Sequence, residues 1–339
     1  MTATVGYFEP WWIQILKAAV IFLVGLQLVP IVLIAERKLL GRFQGRYGPN
    51  RVGPFGMLQP IADIVKLATK EQSRPKTSIG FLYVLAPVIS MLTAFAAFAI
   101  IPFGDVQDIG GTKVGLYGLD LSIGPLYVFA FGAVAFYGIM LGGWASGSKY
   151  SFLGSMRAAA QLISYEVSQG LALAGVVITA GTLSLTEIVH AQAGMWYIVP
   201  QFVGFLVFLV AGFAETNRAP FDLVEADAEL VGGYFTEYGG ARFASYFFAE
   251  YLNVIVVSGI AVTVFLGGWM LPFGIHPPGW TDPLIVLAKM VIFVAFFIWI
   301  RATLPRLRYD QLMSFGWKVL LPLATLNTLI TAIVVVATN

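Results

Sequence analysis

The chain has 339 residues, of which 58% are hydrophobic and only 11% are charged, and its formal net charge is +2. This composition indicates a polytopic helical membrane protein and excludes a chain built around one soluble globular core. The sequence contains no cysteine, which excludes disulfides, thiolate metal sites and iron–sulfur ligation. His190 and His276 are both predicted to fall in connecting loops, which excludes a haem held by two histidines between spans. No glycine-rich nucleotide motif is present.

Apolar runs of about 20 residues, the length that crosses a bilayer, recur along the chain. They predict eight transmembrane helices, near residues 12–35, 81–101, 124–143, 157–180, 197–215, 244–266, 284–303 and 317–337. No basic segment precedes the first run and no small-residue cleavage site follows it, so it is expected to be a retained span. The predicted fold class is therefore all-α, with residues 1–339 forming one integral-membrane domain.

A short amphipathic helix is predicted between the first two spans, in "MLQPIADIVKLATKEQ". Its apolar residues Ile61, Ile64, Val65 and Ala68 recur at helical spacing, and Pro60 suits the first turn. The segment is too short and too charged to span, so it is expected to lie at the membrane interface.

Basic residues predict the orientation of the chain in the membrane. Seventeen of the twenty Lys and Arg residues fall in loops near residues 36–80, 144–157, 215–243 and 301–318. These loops are therefore assigned to the cytoplasm, and both termini to the outer side.

A few charged residues are predicted to lie inside the spans. Glu166 and Glu250 lie deep, where a charge costs about 2.5–3.5 kcal/mol on insertion scales, so a functional role is favoured. Lys17 and Lys289 lie near outer ends of spans and are interpreted as snorkelling side chains. The acids Glu9, Asp105 and Asp282 are interpreted as solvated loop charges.

The fourth span, "RAAAQLISYEVSQG", is polar on two faces. Arg157, Gln161, Ser164 and Ser168 form one stripe, while Glu166 and Gln169 point to another side. Such a helix cannot turn either face broadly to lipid, so it is expected in the interior of the bundle.

Carboxylates are concentrated in "AETNRAPFDLVEADAEL", where six of the fifteen residues from Glu215 to Glu229 are ionisable and five of these are acids. A helix cap accounts for Asp222 and Glu225. It does not account for the other three acids, Glu215, Asp227 and Glu229. Adjacent carboxylates titrate as a coupled set, so the stretch is interpreted as a proton-sharing cluster.

A third polar stretch, "ERKLLGRFQGRYGPNRVGPFG", follows the first span directly. Its four arginines and one lysine are interleaved with five glycines and two prolines. The glycines and prolines predict a loop of fixed, unusual backbone conformation rather than a floppy basic tail. Contact with the surface of another protein is the favoured interpretation.

Taken in order, the chain resembles the family of H subunits of proton-translocating NADH:quinone oxidoreductase, respiratory complex I. The resemblance rests on "ERKLLGRFQGRYGPNRVGPFG", "GWASGSKYSFLGSMRAAAQLISYE", "AETNRAPFDLVEADAELVGGYFTEY" and "RATLPRLRYDQLMSFGWK", and it covers essentially the full chain. One departure is that Asp227 occupies a position where the family more often has glutamate.

The resemblance implies a membrane subunit, with no redox cofactor or metal of its own and no catalytic residue within the chain, that walls a quinone tunnel at the junction with the peripheral arm. Ubiquinone or menaquinone would be the substrate, and NADH, FMN and iron–sulfur clusters would belong to partner subunits. The implied tunnel residues are Arg37, Asp63, Lys66, Arg218, Asp222, Glu225, Asp227 and Arg301. The implied proton-transfer residues are Glu166, Glu215, Glu250 and Glu229, leading towards antiporter-like subunits. Arg42, Arg46 and Arg51 would dock the peripheral arm, and the location would be a bacterial inner membrane.

Three alternatives remain open on the sequence. The chain could be the related subunit of a membrane-bound hydrogenase or of a complex with another electron donor. A free-standing ion transporter would predict symmetry between halves, which the sequence lacks. In the third alternative the chain is a structural anchor whose buried carboxylates are merely paired.

Overall fold

The computed structural model describes residues 9–222, 231–272 and 278–338. In chain order the helices are α1 (Trp11–Phe43), α2 (Gln59–Thr69), α3 (Gly80–Ala99), α4 (Gly124–Ala145), α5 (Lys149–Ala180), α6 (Leu185–Ala191), α7 (Phe202–Glu215), α8 (Gly240–Phe265), α9 (Asp282–Thr303), α10 (Tyr309–Phe315) and α11 (Leu321–Thr338). Single turns of 3₁₀ helix occur at Pro54–Gly56, Gly233–Phe235 and Gly279–Thr281, and a π-helical turn at Gly316–Leu320 joins α10 to α11. The fold is thus nearly all-α, and the chain is a multi-pass membrane protein.

Each of the eight predicted apolar runs contains a helix. Within the described ranges, seven helical stretches are long and apolar enough to cross a membrane: Trp11–Phe43, Gly80–Ala99, Gly124–Ala145, Lys149–Ala180, Gly240–Phe265, Gly279–Thr303 and Tyr309–Thr338. The fifth run forms α7, which has only 14 residues and is about 21 Å long at 1.5 Å per residue. Helix α2 occupies the segment predicted to be amphipathic, and Ile61, Ile64 and Val65 are all more than half exposed on it.

A β-hairpin is the one departure from an all-α fold among the described residues. Strands β1 (Pro102–Ile109) and β2 (Thr112–Tyr117) pair antiparallel after α3, with Val106 opposite Gly115. Gly110 and Gly111 form the turn with φ of +63° and +84°, the left-handed region that two-residue hairpin turns require. The Gly-Gly pair between two short alternating runs is a hairpin signal, and the prediction of a purely helical chain was wrong at this point.

Helix α8 lies at the centre of the bundle. Of its most apolar stretch 78% is buried, compared with 17% in α1 and in α4. It contacts α1, α2, α3, α6, α7 and α9, while α5 packs on α4, α7 and α11. A charged side chain within this apolar stretch of α8 is therefore enclosed by other helices.

Helix α5 lies against other helices on both of its polar faces, as its sequence predicted. Gln161 donates to the Ala214 and Phe221 carbonyls at 2.8 and 2.9 Å. From the other face, Gln169 donates to Glu215 Oε2 at 2.7 Å.

Candidate functional site

The C-terminal end of α1 carries a buried carboxylate, Glu36, which is only 4% exposed. Helix α1 continues to Phe43, two turns beyond the predicted end of the first span, and this extension places Glu36 inside the bundle. Arg301 near the end of α9 forms an ion pair with Glu36, and Arg218 Nη1 lies 3.6 Å from the same carboxylate oxygen. One acid therefore brings two distant arginines together.

Arg218 joins this acid to a second one. Its Nε lies 3.0 Å from Oε1 of Glu250 on α8, and its guanidinium lies 4.2 Å from the ring centroid of Tyr251. Arg218 itself is 7% exposed. Removing two charges from water is costly unless both are paired, so Arg218 is stabilised by having a carboxylate on each side. We call Glu36, Arg218, Glu250, Tyr251 and Arg301 the arginine cluster.

A second ion pair connects α1 to the amphipathic helix. Arg37, the neighbour of Glu36, pairs with Asp63 on α2. Gln59 donates to the other oxygen of Asp63 at 2.9 Å. Glu36 and Arg37 are consecutive on α1 and contact different partners, so the end of α1 connects the arginine cluster to α2. Lys66 lies exposed on α2.

A polar cavity of about 60 Å³ lies between α3, α4, α7 and α8. Glu215 at the end of α7 and Glu250 on α8 both line it, together with Asn217 and Asn253. A cavity that holds a water needs about 10–15 Å³ and two to four polar partners, so this space suits several waters. The polar cavity therefore connects two acids that lie 35 residues apart in sequence.

Glu166 approaches Glu215 from α5. A methyl group built on Gly132 of α4 would lie 3.6 Å from Glu166 Oε1 and 4.0 Å from Glu215 Oε1, so both carboxylates face this glycine. Within the described ranges, Glu215 accepts a hydrogen bond from Gln169 and forms no salt bridge. The structure thus places Glu166 next to Glu215, and Glu215 in the same cavity as Glu250.

A smaller cavity of about 20 Å³ adjoins the arginine cluster. Glu36, Arg218, Tyr251 and Arg301 line it on one side, and Val294, Phe297 and Ile298 of α9 line it on the other. It has about the size of one water and lies directly beside the buried charges of the cluster.

The arginine-rich loop after α1 has the fixed backbone that its glycines predicted. Gly45, Gly53 and Gly56 have φ of +67°, +70° and +73°. Gly48 approaches α1 so closely that a methyl group on it would lie 2.9 Å from the Arg37 carbonyl oxygen. Arg42 in the last turn of α1 and Arg46 and Arg51 on the loop are all exposed.

Several predicted site residues stand apart or outside the described ranges. Asp222 is half-buried at the end of one range. Glu225, Asp227 and Glu229 lie outside the described residues, as does His276. The other predicted tunnel residues fall into three groups. Arg37 pairs with Asp63, Arg218 and Arg301 share the acid Glu36, and Lys66 is exposed.

Sequence reasoning missed Glu36 and Tyr251 as members of the cluster. Glu36 was treated as the first residue of a loop, although continued helical spacing through "AERKLLGRF" would have placed it on the inner face of a longer α1. Tyr251 was not singled out, because a tyrosine in an apolar helix gives no signal of a contact with a distant arginine.

Two interpretations of charged residues near predicted span ends were wrong. Lys289 does not snorkel: it is 8% exposed and its Nζ donates to the carbonyls of Leu266, Gly268 and Met270 at 2.6–2.7 Å. Glu9 and Asp282 are not solvated. Glu9 pairs with Lys17 at 2.9 Å, and Asp282 is 3% exposed and accepts from the Asp105 backbone N–H at 3.3 Å. In each case the partner comes from another part of the chain, and the sequence does not show which parts meet.

Comparison with known proteins gives the family. The NADH dehydrogenase family matches residues 16–332. Two similar proteins come from Geobacter. One is an NADH-quinone oxidoreductase H subunit (numbered 1) of Geobacter metallireducens. It is 51% identical over 94% of this chain and 95% of the relative's length. The second, an NADH-quinone oxidoreductase H subunit (numbered 2) of Geobacter sulfurreducens, is 52% identical, over 93% and 94%. The NADH-quinone oxidoreductase H subunit of Protochlamydia amoebophila is 51% identical, over 88% and 90%. With its buried arginine cluster and acid-lined cavity, the chain belongs to the NADH dehydrogenase family, that of the H subunits of NADH-quinone oxidoreductases.

Proposed function

We propose that this chain forms part of the wall of a quinone tunnel in a proton-translocating NADH-quinone oxidoreductase and links quinone reduction to proton movement through its buried carboxylates. It would do so as one integral-membrane domain with eight spans, α7 being the short fifth one, and with both termini on the outer side. Partner subunits would supply the electrons from NADH through FMN and iron–sulfur clusters. The location would be a bacterial inner membrane.

One observation carries the proposal: the ionisable side chains form a nearly continuous line. It begins with Arg37 and Asp63 at the α1–α2 junction and continues through Glu36 and Arg218 of the arginine cluster. Glu250 then leads into the polar cavity, where the line ends at Glu215 and Glu166. Ionisable groups inside a membrane bundle are costly, and they commonly mark ion or proton pathways.

The chemistry of the substrate fits the first half of this line. Reduction of a quinone to a quinol takes two electrons and two protons, and negative charge develops on the headgroup oxygens before the protons arrive. Arg37, Arg218 and Arg301 are cations that would stabilise that charge. Asp222, with Glu225 and Asp227 next to it in sequence, and Lys66 and Asp63 on α2 complete the proposed tunnel wall.

The second half of the line would respond to the first. Arg218 contacts both Glu36 and Glu250, so a shift of Arg218 towards a developing anion would weaken its hold on Glu250. Glu250 would then take up a proton and pass it through the polar cavity to Glu215 and Glu166, with Glu229 joining the relay. Each unit by which such a pKa moves is about 1.4 kcal/mol of coupling free energy.

The exposed arginine-rich loop would dock the peripheral arm. Its glycine-determined backbone holds Arg42, Arg46 and Arg51 outward on a structured surface. Small membrane subunits that lead to antiporter-like subunits would contact the side of the chain near Glu166.

Photolabelling of the intact oxidoreductase with a tail-labelled quinone analogue tests the tunnel. We expect labels in residues 36–70 and 215–238, and competition by unlabelled quinone should remove them. Labels confined to other subunits, or labels here that excess quinone does not reduce, would contradict the tunnel.

The main alternative is a structural anchor, which is favoured by the fact that Glu36 and Glu250 are both in ion pairs. Glu215 separates the two functions, because its only hydrogen-bond donor among the described residues is the neutral Gln169. A structural anchor does not require Glu215 to bind and release a proton, whereas a proton relay does.

A further inference from the structure

We infer that Gly132 on α4 keeps open the crossing by which a proton passes between Glu215 and Glu166, and that Gln169 aims the Glu215 carboxylate at that crossing. The inference deepens the proposed function and rests on it, because it names the step by which a proton leaves the polar cavity. Neither Gly132 nor Gln169 is ionisable, so both are positioning residues.

The crossing is a small space beside Gly132 that two carboxylate oxygens approach. A Cβ added to Gly132 would lie 3.6 Å from Glu166 Oε1 and 4.0 Å from Glu215 Oε1. In the part of the chain that the structure describes, no other atom of a neighbouring helix comes within 4 Å of that point. Hydrogen bonds between water and a carboxylate are about 2.8 Å long, so one or two waters in this space would connect the two acids.

The space beside Gly132 adjoins the polar cavity. Gly132 lines that cavity, as do Glu215 and Glu250, whereas Glu166 does not. Glu166 is half-buried on α5, which packs on α4. Gly132 therefore links a cavity that holds two acids to a third acid outside it.

Gln169 determines which oxygen of Glu215 faces the crossing. Its side-chain amide donates to Glu215 Oε2 at 2.7 Å, and Gln169 is only 4% exposed. The other oxygen, Oε1, is the one that lies near Gly132. Gln169 and Glu166 are three residues apart on α5, so they are neighbours on the surface of that helix. One face of α5 therefore carries both an acid and the amide that orients the acid opposite.

Glycine at position 132 is not explained by packing or by backbone conformation. Gly132 lies inside α4, and both atoms near its added Cβ are at ordinary van der Waals distance. On the same helix, a methyl group on Gly138 or Gly143 would instead clash with the hydroxyl of Ser90 or Ser155. Glycine is also a poor helix former compared with alanine. What glycine provides at position 132 is therefore the open space itself.

The transfer moves one proton and no electrons. The O–H bond at Glu215 Oε1 breaks and its proton joins a water in the crossing, which gives one of its own protons to Glu166 Oε1. The water again has two O–H bonds, Glu215 becomes a carboxylate, and Glu166 becomes a carboxylic acid. The hydrogen bond from Gln169 to Oε2 is kept throughout, so Glu215 does not turn away from the crossing.

Gly132→Ala tests the crossing in the assembled oxidoreductase in proteoliposomes. The methyl group fits without a clash but occupies the space that a bridging water needs. We expect proton translocation and the coupled quinone reductase rate to fall about tenfold, which corresponds to about 1.4 kcal/mol of barrier. The H₂O/D₂O rate ratio should rise because proton transfer becomes rate-limiting, while thermal unfolding should not be weakened, since alanine favours the helix. Full translocation in Gly132→Ala would overturn the inference.

Gly170→Ala is the matched control. Gly170 lies inside α5, and a methyl group on it would lie 3.7 and 3.9 Å from ring atoms of Phe129 on α4. The added group has the same size and a similar contact distance, in the same pair of helices, but it faces a phenyl ring instead of two acids. Translocation and the isotope ratio should stay at the parent values. An equal loss in Gly170→Ala would show that an added methyl group acts through packing and would overturn the inference.

Gln169→Leu tests the aim of Glu215 independently of Gly132. Leucine keeps much of the volume of the glutamine side chain but cannot donate to Glu215 Oε2. We expect translocation to fall about tenfold, again about 1.4 kcal/mol of barrier, with a raised isotope ratio. Normal translocation in Gln169→Leu would overturn the inference, and this variant decides the matter if Gly132→Ala does not assemble.

Glu215→Gln separates the inference from the proposed function. If Glu215→Gln pumps normally, the proposed function fails and the inference fails with it. If Glu215→Gln loses pumping while Gly132→Ala and Gln169→Leu both keep it, only the crossing beside Gly132 is overturned.

Discussion

Arg218 Nε lies 3.0 Å from Glu250 Oε1, and this contact joins the arginine cluster to the polar cavity. Arg218 also approaches Glu36, whereas Glu250 lines the cavity. In a poorly solvated interior, neutralising one member of such a set leaves another charge without its partner. The cluster should therefore respond to single substitutions as a unit.

Glu36→Gln tests the cohesion of the arginine cluster. The substitution keeps the shape of the side chain but leaves Arg301 and Arg218 without the acid they share. We expect the free energy of unfolding to fall by about 3 kcal/mol, because breaking a buried ion pair leaves an uncompensated charge. Thermal unfolding of the purified oxidoreductase and the content of this subunit in membranes would measure the loss.

Asp310→Asn is the matched control for Glu36→Gln. Asp310 also pairs with an arginine, Arg308 at 2.9 Å, but both side chains are largely exposed. Exposed pairs contribute little, so this variant should unfold like the parent protein. Equal stability of Glu36→Gln and Asp310→Asn would mean that the cluster is not held together by Glu36.

Glu215→Gln should lower proton translocation and quinone reductase activity together. The amide fills the same space and still contacts Gln169, but it cannot bind and release a proton in the polar cavity. We expect a loss of about tenfold in both rates, about 1.4 kcal/mol in barrier, with normal assembly. Reductase assays and pH-indicator measurements in proteoliposomes would show it.

Glu250→Gln is expected to differ from Glu215→Gln in one respect. It removes the same kind of proton site, but it also leaves Arg218 with Glu36 as its remaining acid among the described residues. Assembly should therefore fall along with activity. Glu71→Gln, at an exposed site between α2 and α3, serves as a control that should change neither. Full activity of both Glu215→Gln and Glu250→Gln would contradict the proposed proton relay.

Much of the fold follows from the sequence because bilayer thickness and hydrophobicity constrain it directly. All eight apolar runs contain helices, and the amphipathic spacing around Ile61 and Ile64 gives α2. The length of α1 was underestimated, since a helix that leaves the bilayer no longer needs apolar residues. The β-hairpin was not predicted because its strands are too short to form a long apolar run, although the Gly110–Gly111 turn between them is a hairpin signal.

The sequence singles out most of these charged residues, though not Glu36 or Tyr251, but it does not show which of them are in contact. Glu166, Glu215 and Glu250 stand out because carboxylates are rare inside spans. That Glu36 pairs with Arg301, 265 positions away, depends on which helix ends meet, and hydropathy says nothing about that. The same reason explains Lys289, whose three carbonyl partners are supplied by the end of another helix.

Lys289→Met should destabilise the packing of α9 against the segment that follows α8. The ammonium group of Lys289 satisfies the carbonyls of Leu266, Gly268 and Met270 beyond the end of α8, and it lies 4.4 Å from the Trp196 ring centroid. Methionine has a similar stem but no donor. We expect a loss of about 3 kcal/mol in the free energy of unfolding, since hydrogen bonds to a charged group are strong and buried carbonyls are left unpaired.

Lys113→Met is the control for this loss. Lys113 lies exposed on β2, so the same change of side chain should leave thermal unfolding unaltered. If Lys289→Met were as stable as Lys113→Met, the three carbonyl contacts would contribute no net stability.

The β-hairpin is held to α6 by a pair that depends on pH and lies outside the spanning helices. His190 Nε2 lies 3.5 Å from Asp105 Oδ2. This contact raises the pKa of His190 against the opposing effect of burial, and the nearby charges of Glu187 and Asp120 raise it further. The same contact lowers the pKa of Asp105. Both side chains are 44% exposed, so solvent screens the pair and its contribution is modest.

The direction of each shift gives the pH range in which the hairpin is held. A histidine with a raised pKa contributes its full stability below its unfolded value, near 6.5, and loses it as the pH rises through the folded value. An aspartate with a lowered pKa contributes above about pH 3.9 and loses its contribution as the pH falls through the folded value. Hydrogen exchange of residues 102–117, corrected for intrinsic rates, should therefore be faster at about pH 8.5 than at about pH 5.5. In His190→Gln the corrected rates should be equal at the two pH values, and a difference that persists there would assign the effect to another group.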